Sequence, residues 1–471
     1  KTIPIDAFPD VTTVQVQVIT EAPGLAPVEV ERLVTFPIEV QMTGLPGIVD
    51  VRSLSKFGLS MVTVVFQDRV DSYFARQLVL ERLIEARDKL PPGVEPVMGP
   101  ISTGLGEVYQ YTVERDGVGP TDDPKALMEL REIEDWIIRP RLKTVPGVTD
   151  VNTFGGQVRQ FQVLADPDRL RKYDLTLREI FDAVAANNAN AGGNFLEHAS
   201  EQYLIRGIGL TRGLDDLQRI VVKSAHGNPV FVRDVAEVTF GPEVRQGAAV
   251  KDGRGEVVVG IVLMLKGASG RDVAASVKDA IAQIAPTLPE GVKIKPYYDR
   301  TDLVRECLKT VSEALLEGLI LVLLVLFLFL GNARSALVVA STLPIATLAT
   351  FLVMRLAGVS ANLMSLGGLA IAMGMMVDGS VVVVENTYRH LSERAGLRSG
   401  RLHAVLESTL EVAKPVTFGI LIIIAVFLPL FTLQGMEGKM FSPMAFTIAI
   451  ALFCSLLLSF TFVPLFSSLL I

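Results

Sequence analysis

The sequence predicts a multi-pass α-helical membrane protein that carries a large water-soluble α+β portion. Charge is distributed very unevenly: only 16 of the 161 residues from Val311 onward are charged, whereas the first 310 residues carry 79 charges and the whole net charge of −7. Long apolar stretches recur after Val311, and alternating strand patterns and helical patterns recur before it. A bilayer-embedded part after a solvated part accounts for this contrast.

Five apolar ranges predict membrane-spanning helices, at about residues 315–330, 336–354, 363–384, 416–433 and 442–470. Each is close to the roughly 20 residues that cross a bilayer as a helix. One or two such ranges could be buried helices of a large soluble protein. Five in succession instead predict a transmembrane domain over about residues 303–471.

Cations in the connecting loops predict the orientation. The connections after the first and third spans carry Arg334, Arg389, Arg394, Arg398, Arg401 and Lys414, whereas those after the second and fourth carry only Arg355 and Lys439. Because cytoplasmic loops are enriched in Lys and Arg, the soluble portion is expected outside, in the periplasm of a Gram-negative cell. Since Lys1 is not a start methionine and the chain stops in an apolar run, we expect both ends to be cuts in a longer protein, with one further span before Lys1.

The soluble portion reads as repeated β-α-β units. Strands are predicted at residues 14–18, 61–66, 106–114 and 151–154, and helices at 28–42, 73–90 and 126–145. The hexapeptide PGIVDV at 46–51 returns as PGVTDV at 146–151, each time between a helix and a strand. A duplicated unit of ferredoxin-like type is therefore expected. The polar run at 187–194 predicts either an exposed hairpin or an ordinary surface loop.

Two carboxylates mark the third predicted span: Asp378 lies within it and Glu385 directly follows its end, and residues 363–377 before them carry no charge. An ionised Asp in mid-bilayer costs about 2.5–3.5 kcal/mol on insertion scales, so it marks a candidate functional site. A spacing of seven places both acids on one helix face, roughly 10 Å apart. This geometry predicts a proton relay; the alternatives are a structural acid paired to another helix and, for Glu385, a solvated interfacial side chain.

Other classes of site are excluded or weakly supported. Cys307 and Cys454 are too few for a disulfide framework or a CxxC site, and the four histidines have no ligand-like spacing. The mild acidity gives no support to nucleic-acid binding, and no bound cofactor is predicted. Soft thioethers suit Cu(I) or Ag(I), but methionine also fills gaps in apolar packing. The candidate metal contacts are therefore Met364, Met373, Met375, Met376 and the strand acid Glu107, with Met436, Met440 and Met444 as weaker ones.

Several passages together carry a specific resemblance. They are IDAFPDVT at 5–12, TGLGEVYQY at 103–111, YYDR at 297–300, FLFLGNARSAL at 327–337, SANLMSLGGLAIA at 360–372, VDGSVVVVEN at 377–386 and EGKMFSPMAFT at 437–447. With this layout, the chain resembles the N-terminal half of a resistance-nodulation-division (RND) transporter of the heavy-metal efflux branch, without its first transmembrane helix.

The resemblance implies a first porter subdomain at residues 1–95, a second at 96–155 and 243–302, and a docking subdomain at 156–242. It implies a homotrimer in the bacterial inner membrane, joined to a periplasmic adaptor and an outer-membrane channel, that exports cations in exchange for protons. It also implies that Asp378 and Glu385 relay protons, with a partner lysine in the second half. Such a protein is a secondary transporter and not an enzyme.

The resemblance does not decide which metal would be transported. Zinc, cobalt and nickel-type members carry a further Asp where this chain has Ala372, whereas copper and silver-type members usually show Ala-Ala where it has Gly379-Ser380. Divalent Zn, Co, Ni or Cd and monovalent Cu or Ag are all compatible. The alternatives in function are an RND multidrug or lipid exporter, a proton-driven protein-translocation accessory and a non-transporting scaffold.

Overall fold

A computed structural model describes residues 5–116, 119–198, 201–225, 228–245, 247–330, 333–393 and 401–470. The strands are β1 Val14–Glu21, β2 Ile48–Lys56, β3 Leu59–Phe66, β4 Pro96–Met98, β5 Glu107–Arg115, β6 Val148–Phe154, β7 Arg159–Ala165, β8 Ala191–His198, β9 Glu201–Gly207, β10 Val221–Ala225, β11 Asn228–Phe231, β12 Ala236–Pro242, β13 Val258–Met264 and β14 Val292–Asp299. The α-helices are α1 Pro27–Val30, α2 Phe36–Met42, α3 Ser72–Arg87, α4 Pro124–Ile133, α5 Arg139–Leu142, α6 Pro167–Tyr173, α7 Leu177–Ala186, α8 Leu214–Gln218, α9 Val232–Val235, α10 Gly270–Ile284, α11 Arg300–Leu330, α12 Ala333–Ala357, α13 Leu363–Glu393, α14 Arg401–Phe427 and α15 Gly435–Leu470.

Two four-stranded antiparallel sheets share one topology. Their strand orders are β2-β3-β1-β4 and β6-β13-β5-β14, which is the β-α-β-β-α-β ferredoxin-like arrangement in both. We call them the first and second ferredoxin-like units. In β1 the alternating valines Val14, Val16 and Val18 point into the core of the first unit. The duplication predicted from the two hexapeptides is confirmed.

The repeated hexapeptides occupy equivalent turns. Gly47 and Gly147 precede β2 and β6 with φ values of 77° and 88°, where glycine is favoured because it lacks a Cβ. A Cβ at Gly147 would also lie 2.7 Å from Val273 Cγ2. The repeat therefore preserves a backbone conformation as well as a sequence.

The second unit contains a long insertion between β6 and β13. It holds three two-stranded pairings, β7 with β12, β8 with β9 and β10 with β11. The β8–β9 hairpin begins within the polar run at 187–194, and its described side chains from Ala191 to Glu197 and from Glu201 to Gly207 are all exposed. Of the two structures predicted for this run, the exposed hairpin is the one observed.

Four helices of the described residues are long and apolar enough to cross a membrane: 333–357, 363–393, 402–432 and 435–470. The other predicted span, 315–330, forms the second half of α11, a continuous helix of 31 residues, and its role as a span stays a prediction. The observed helices are longer than the apolar ranges. In α14 the polar turns before residue 416 stay helical because Ala404, Val405 and Ser408 are buried.

The soluble portion contacts the loops that carry few cations. The Asp6 amide donates to the Ala361 carbonyl at 3.2 Å in the α12–α13 loop, and Lys439 Nζ at the start of α15 donates to Asp68 Oδ1 at 2.6 Å and to the Thr12 carbonyl at 2.8 Å. These loops follow the second and fourth predicted spans. The loops predicted to lie outside are thus the ones beside the soluble portion.

Candidate proton-relay site

Helix α13 holds the two predicted relay acids on one open stripe. Gly374, Asp378, Val381, Glu385 and Tyr388 follow each other at intervals of four and three, which keeps them on one helix face. They line a cavity of about 680 Å³ together with Leu321, Val322 and Val325 of α11 and Ser335 of α12. The structure therefore brings Asp378 and Glu385 to one cavity.

The carboxylates of Asp378 and Glu385 are exposed to this cavity. Within the described residues, neither accepts a hydrogen bond or forms an ion pair. Most of the lining is apolar, so an ionised carboxylate there lacks compensation once water is excluded. A proton or a cationic partner would remove that cost.

Ser335 adds a polar group that the sequence did not reveal. Its side chain is 1% exposed, lines the same cavity, and its Oγ has no hydrogen-bond partner among the described residues. A hydroxyl can both donate and accept a hydrogen bond, so it is a suitable neighbour for the carboxylates that line this cavity. Because serines are common in membrane helices, only the position of Ser335 opposite α13 identifies it as part of this site.

The opposite face of α13 packs tightly on α15. A Cβ at Gly368 would lie 2.8 Å from the Met444 carbonyl oxygen, so the backbones approach closely there. Ser455 Oγ donates to the Met376 carbonyl at 2.6 Å, and Ser380 Oγ lies 3.0 Å from Ser459 Oγ. Small residues and interhelical hydroxyl bonds are the usual means of holding membrane helices together.

We expect Gly368→Ala to destabilise this contact. The added methyl meets a backbone atom that cannot rotate away, and such overpacking costs about 1–3 kcal/mol. Gly367→Ala is the control, since a Cβ there meets nothing within 4 Å. Thermal unfolding in detergent should show a lower Tm for Gly368→Ala alone; equal Tm values would contradict the close approach.

A polar network joins the C-terminal end of α13 to α14. Asn386 Nδ2 donates to the Ser408 carbonyl at 2.8 Å and to Glu411 Oε2 at 3.0 Å. His390 Nε2 lies 2.8 Å from the same carboxylate oxygen, and Arg389 lies 3.6 Å from the other. Sequence reasoning missed this network because its bonds between α13 and α14 join residues that are 21 to 25 positions apart along the chain. It fixes the helix one turn beyond Glu385.

The predicted metal contacts are not gathered at the cavity. Met373 and Met376 are buried in the apolar core between the helices, and Met364 is half-buried at the start of α13. Glu107 is exposed on β5, where it accepts a hydrogen bond from Gln110 Nε2 at 2.6 Å. On α15, Met436 is exposed, whereas Met440 and Met444 are half-buried. Among the described residues, no group of three or more His, Cys, Asp or Glu could hold a metal ion.

Ala372, where some members of the resembled branch carry a third acid, lies in the same core and is fully buried. An acid at this position would face apolar side chains and not the cavity of Asp378. Position 372 thus lies in the apolar core between the helices, whereas position 378 lines the cavity.

The fold and the cavity define a membrane protein with two ferredoxin-like outer units and an acid-bearing helix. The AcrB/AcrD/AcrF family model matches residues 1–471, and the chain belongs to this family. It is 51% identical over 470 residues to the cation efflux system protein CzcA of Alcaligenes sp. strain CT14, covering 98% of this chain and 44% of that protein. It is 42% identical over 471 residues to the cation efflux system protein CusA of Escherichia coli K12, with 98% and 44% covered.

A solved structure supports the same assignment. The crystal structure of a heavy metal efflux pump, crystal form II, superposes with a TM-score of 0.88 at 40% identity, covering 98% of this chain and 45% of that one. The chain thus spans less than half the length of the relatives it matches.

Proposed function

We propose that this chain forms the N-terminal half of an inner-membrane pump that exports heavy-metal cations in exchange for protons. The observation that carries the proposal is Asp378, a carboxylate without a partner in the described residues, on a membrane-length helix and beside an apolar cavity. An acid in this setting can bind a proton from one side and release it when its surroundings change. The names of the similar proteins supply the cargo class, cations.

The outer portion would then take up the metal and the helices would supply the energy. We propose that the first ferredoxin-like unit and the second one are the two porter subdomains, expected at residues 1–95 and at 96–155 with 243–302. Strand β4, Pro96–Met98, pairs with β1 and therefore extends the first unit a few residues past 95. The insertion at 156–242 would be the docking subdomain that meets a periplasmic adaptor and an outer-membrane channel. The single topology of the two sheets supports treating them as paired halves of one cleft.

Transport by the full-length protein in proteoliposomes tests the function. An imposed pH gradient, with a panel of Zn, Co, Ni, Cd, Cu(I) and Ag(I), should drive accumulation of at least one metal together with proton movement. A drug or lipid substrate panel serves as the comparison. If no metal moves while a drug or lipid does, the metal proposal is wrong and export of apolar molecules replaces it.

A homotrimer is part of the proposal, supported by the β8–β9 hairpin. Its described side chains are exposed throughout, including Phe195, Leu196, Tyr203 and Leu204. An isolated two-stranded hairpin is marginal in water, so its apolar residues need a surface to rest on. We expect light scattering in detergent to give the mass of a trimer. Replacing the hairpin by a short turn should reduce the number of chains in the assembly below three.

Metal contact by Met364, Met373, Met376 or Glu107 stays a prediction that substitution can test. We expect Met376→Leu to change the unfolding free energy by less than about 1.5 kcal/mol, because leucine fills a similar volume in the core. Transport of Zn should be unaffected. A selective loss of Cu(I) or Ag(I) transport would show that the thioether binds metal, and Leu369→Met, at a neighbouring core position, controls for packing.

A further inference from the structure

A short segment at the start of the chain, Ile5 to Ala7, lies against the beginning of α13. Ile5 pairs in parallel with Ala361, the Asp6 amide donates to the Ala361 carbonyl at 3.2 Å, and the Leu363 amide donates to the Ala7 carbonyl at 3.0 Å. We call residues 5–7 the strap. The strap contacts Leu363, the first residue of α13. Asp378 lies fifteen positions after Leu363 on the same helix, about 22 Å along the axis at 1.5 Å per residue.

The strap is also held by a buried ion pair. Arg300 Nε and Nη2 lie 2.9 Å and 2.8 Å from Asp6 Oδ1, and Arg300 Nη1 donates to the Leu105 carbonyl. The Arg300 side chain is only 5% exposed and that of Asp6 17%. Removing one partner would leave the other charge buried without compensation, so the pair resists separation.

Arg300 stands where three parts of the molecule meet. It begins α11 directly after β14, an edge strand of the second ferredoxin-like unit. Gly270, the first residue of α10, lies over the pair: a Cβ there would be 2.9 Å from Arg300 Cδ and 3.3 Å from Asp6 Oδ2. An apolar cluster of Val311, Ala361 and Leu366, with Ile5 and Leu308 against it, surrounds the strap.

We propose that Asp6 and Arg300 are positioning residues that couple movement of α13 to the second ferredoxin-like unit. This rests on the proposed function. If α13 shifts when Asp378 changes protonation, the strap is displaced with it through its backbone hydrogen bonds. The buried pair then transfers the displacement to Arg300, and through Arg300 to β14, the loop at Leu105 and the start of α10. The exposed Lys439–Asp68 contact offers a weaker second link to the first unit.

The test measures the ratio of metal flux to proton flux in proteoliposomes of the full-length protein. Asp6→Asn keeps the size of the side chain and its acceptor for the Ala7 amide, but removes the charge that faces Arg300. We expect the ratio to fall about fivefold or more, the lower range of coupling between sites. Asp10→Asn should leave the ratio unchanged, because Asp10 is an exposed acid four residues away that, within the described part of the chain, accepts only from the Thr12 amide.

The ratio separates coupling from folding, because a loss of folded protein lowers both fluxes equally. Arg300→Lys provides a second variant: it keeps the cation, cannot satisfy Asp6 and the Leu105 carbonyl together, and should lower the ratio less than Asp6→Asn. If Asp6→Asn does not fold, the Arg300→Lys ratio decides. If the folded variants have an unchanged ratio and the unmodified protein has normal metal flux, the proposed coupling through Asp6 and Arg300 is wrong, while the pump proposal stands. Absence of metal flux in the unmodified protein overturns both.

Discussion

Asp378→Asn should abolish metal-coupled proton movement by the full-length protein while leaving it folded. The amide has the size of the carboxyl group but cannot take up and release a proton, so the helix loses its only means of changing charge at this depth. Because relay acids act in every cycle, we expect coupled transport to fall by at least about a hundredfold, in the range lost when a positioned proton-transfer group is removed. Asp378→Glu, which keeps the titratable group, should retain part of the activity.

Glu437→Gln is the matched control for Asp378→Asn. It removes an exposed acid from the first turn of α15, outside the cavity, and should leave coupled transport unchanged. Glu385→Gln should reduce transport less than Asp378→Asn, since Glu385 lies nearer the helix end. Intact metal-coupled proton flux in Asp378→Asn would show that another group carries the proton.

Glu134→Gln should remove a pH dependence from the stability of the second ferredoxin-like unit. Glu134 is fully buried, accepts a hydrogen bond from the Tyr111 hydroxyl at 2.8 Å, and its Oε2 has no partner among the described residues. Burial raises the pKa of the Glu134 carboxyl to about 7. The Tyr111 hydrogen bond and the charges of Arg131 and Arg139 oppose the rise, whereas the charge of Asp135 adds to it.

The sign of the effect follows from proton binding. Since the pKa in the folded state is above the ordinary value of 4.5, the folded protein binds a proton between pH 4.5 and about 7 that the unfolded chain releases. The stabilisation is complete below 4.5 and is lost as the pH rises through about 7, a change on the order of 3 kcal/mol. Glutamine keeps an acceptor for Tyr111 and does not titrate.

Thermal unfolding from about pH 5 to about pH 8 measures this dependence. The Tm of the unmodified protein should fall across this range more than that of Glu134→Gln. Glu132→Gln removes a half-buried acid in the last turn of α4 that is paired with Arg159, and this variant should follow the unmodified protein. Parallel curves for Glu134→Gln and the unmodified protein would show that Glu134 is ionised in the fold throughout.

Residue spacing correctly predicted which side chains share a face. Asp378 and Glu385 lie on one stripe because seven residues complete nearly two helical turns. By the same period, Met373 and Met376 are turned well away from Asp378, and the structure places both in the core. The alternation of Val14, Val16 and Val18 likewise predicted an inward face, because strand side chains alternate.

Contacts between distant segments could not be predicted in this way. The Asp6–Arg300 pair joins positions 294 residues apart, the Asn386–Glu411 bond crosses between two helices, and Ser335 and Asp378 line one cavity only because α12 packs beside α13. Nothing in the local sequence distinguishes these residues from solvated ones. Their burial, and with it the energetic consequence of their charge or polarity, follows from the packing of several elements at once.

The sequence by itself determined the division into a solvated and a membrane part, the ferredoxin-like repeat and the position of the anomalous Asp378. These are set by local composition and by the periods of helix and strand, which need no knowledge of neighbours. Only the tertiary structure decided that Asp378 and Glu385 open onto one cavity, that Ala372 and Met376 are buried in the core between the helices, and that the strap connects α13 to Arg300 and the second ferredoxin-like unit. The physical reason is that burial, partner atoms and close backbone approach belong to pairs of surfaces, which form only when the chain has folded.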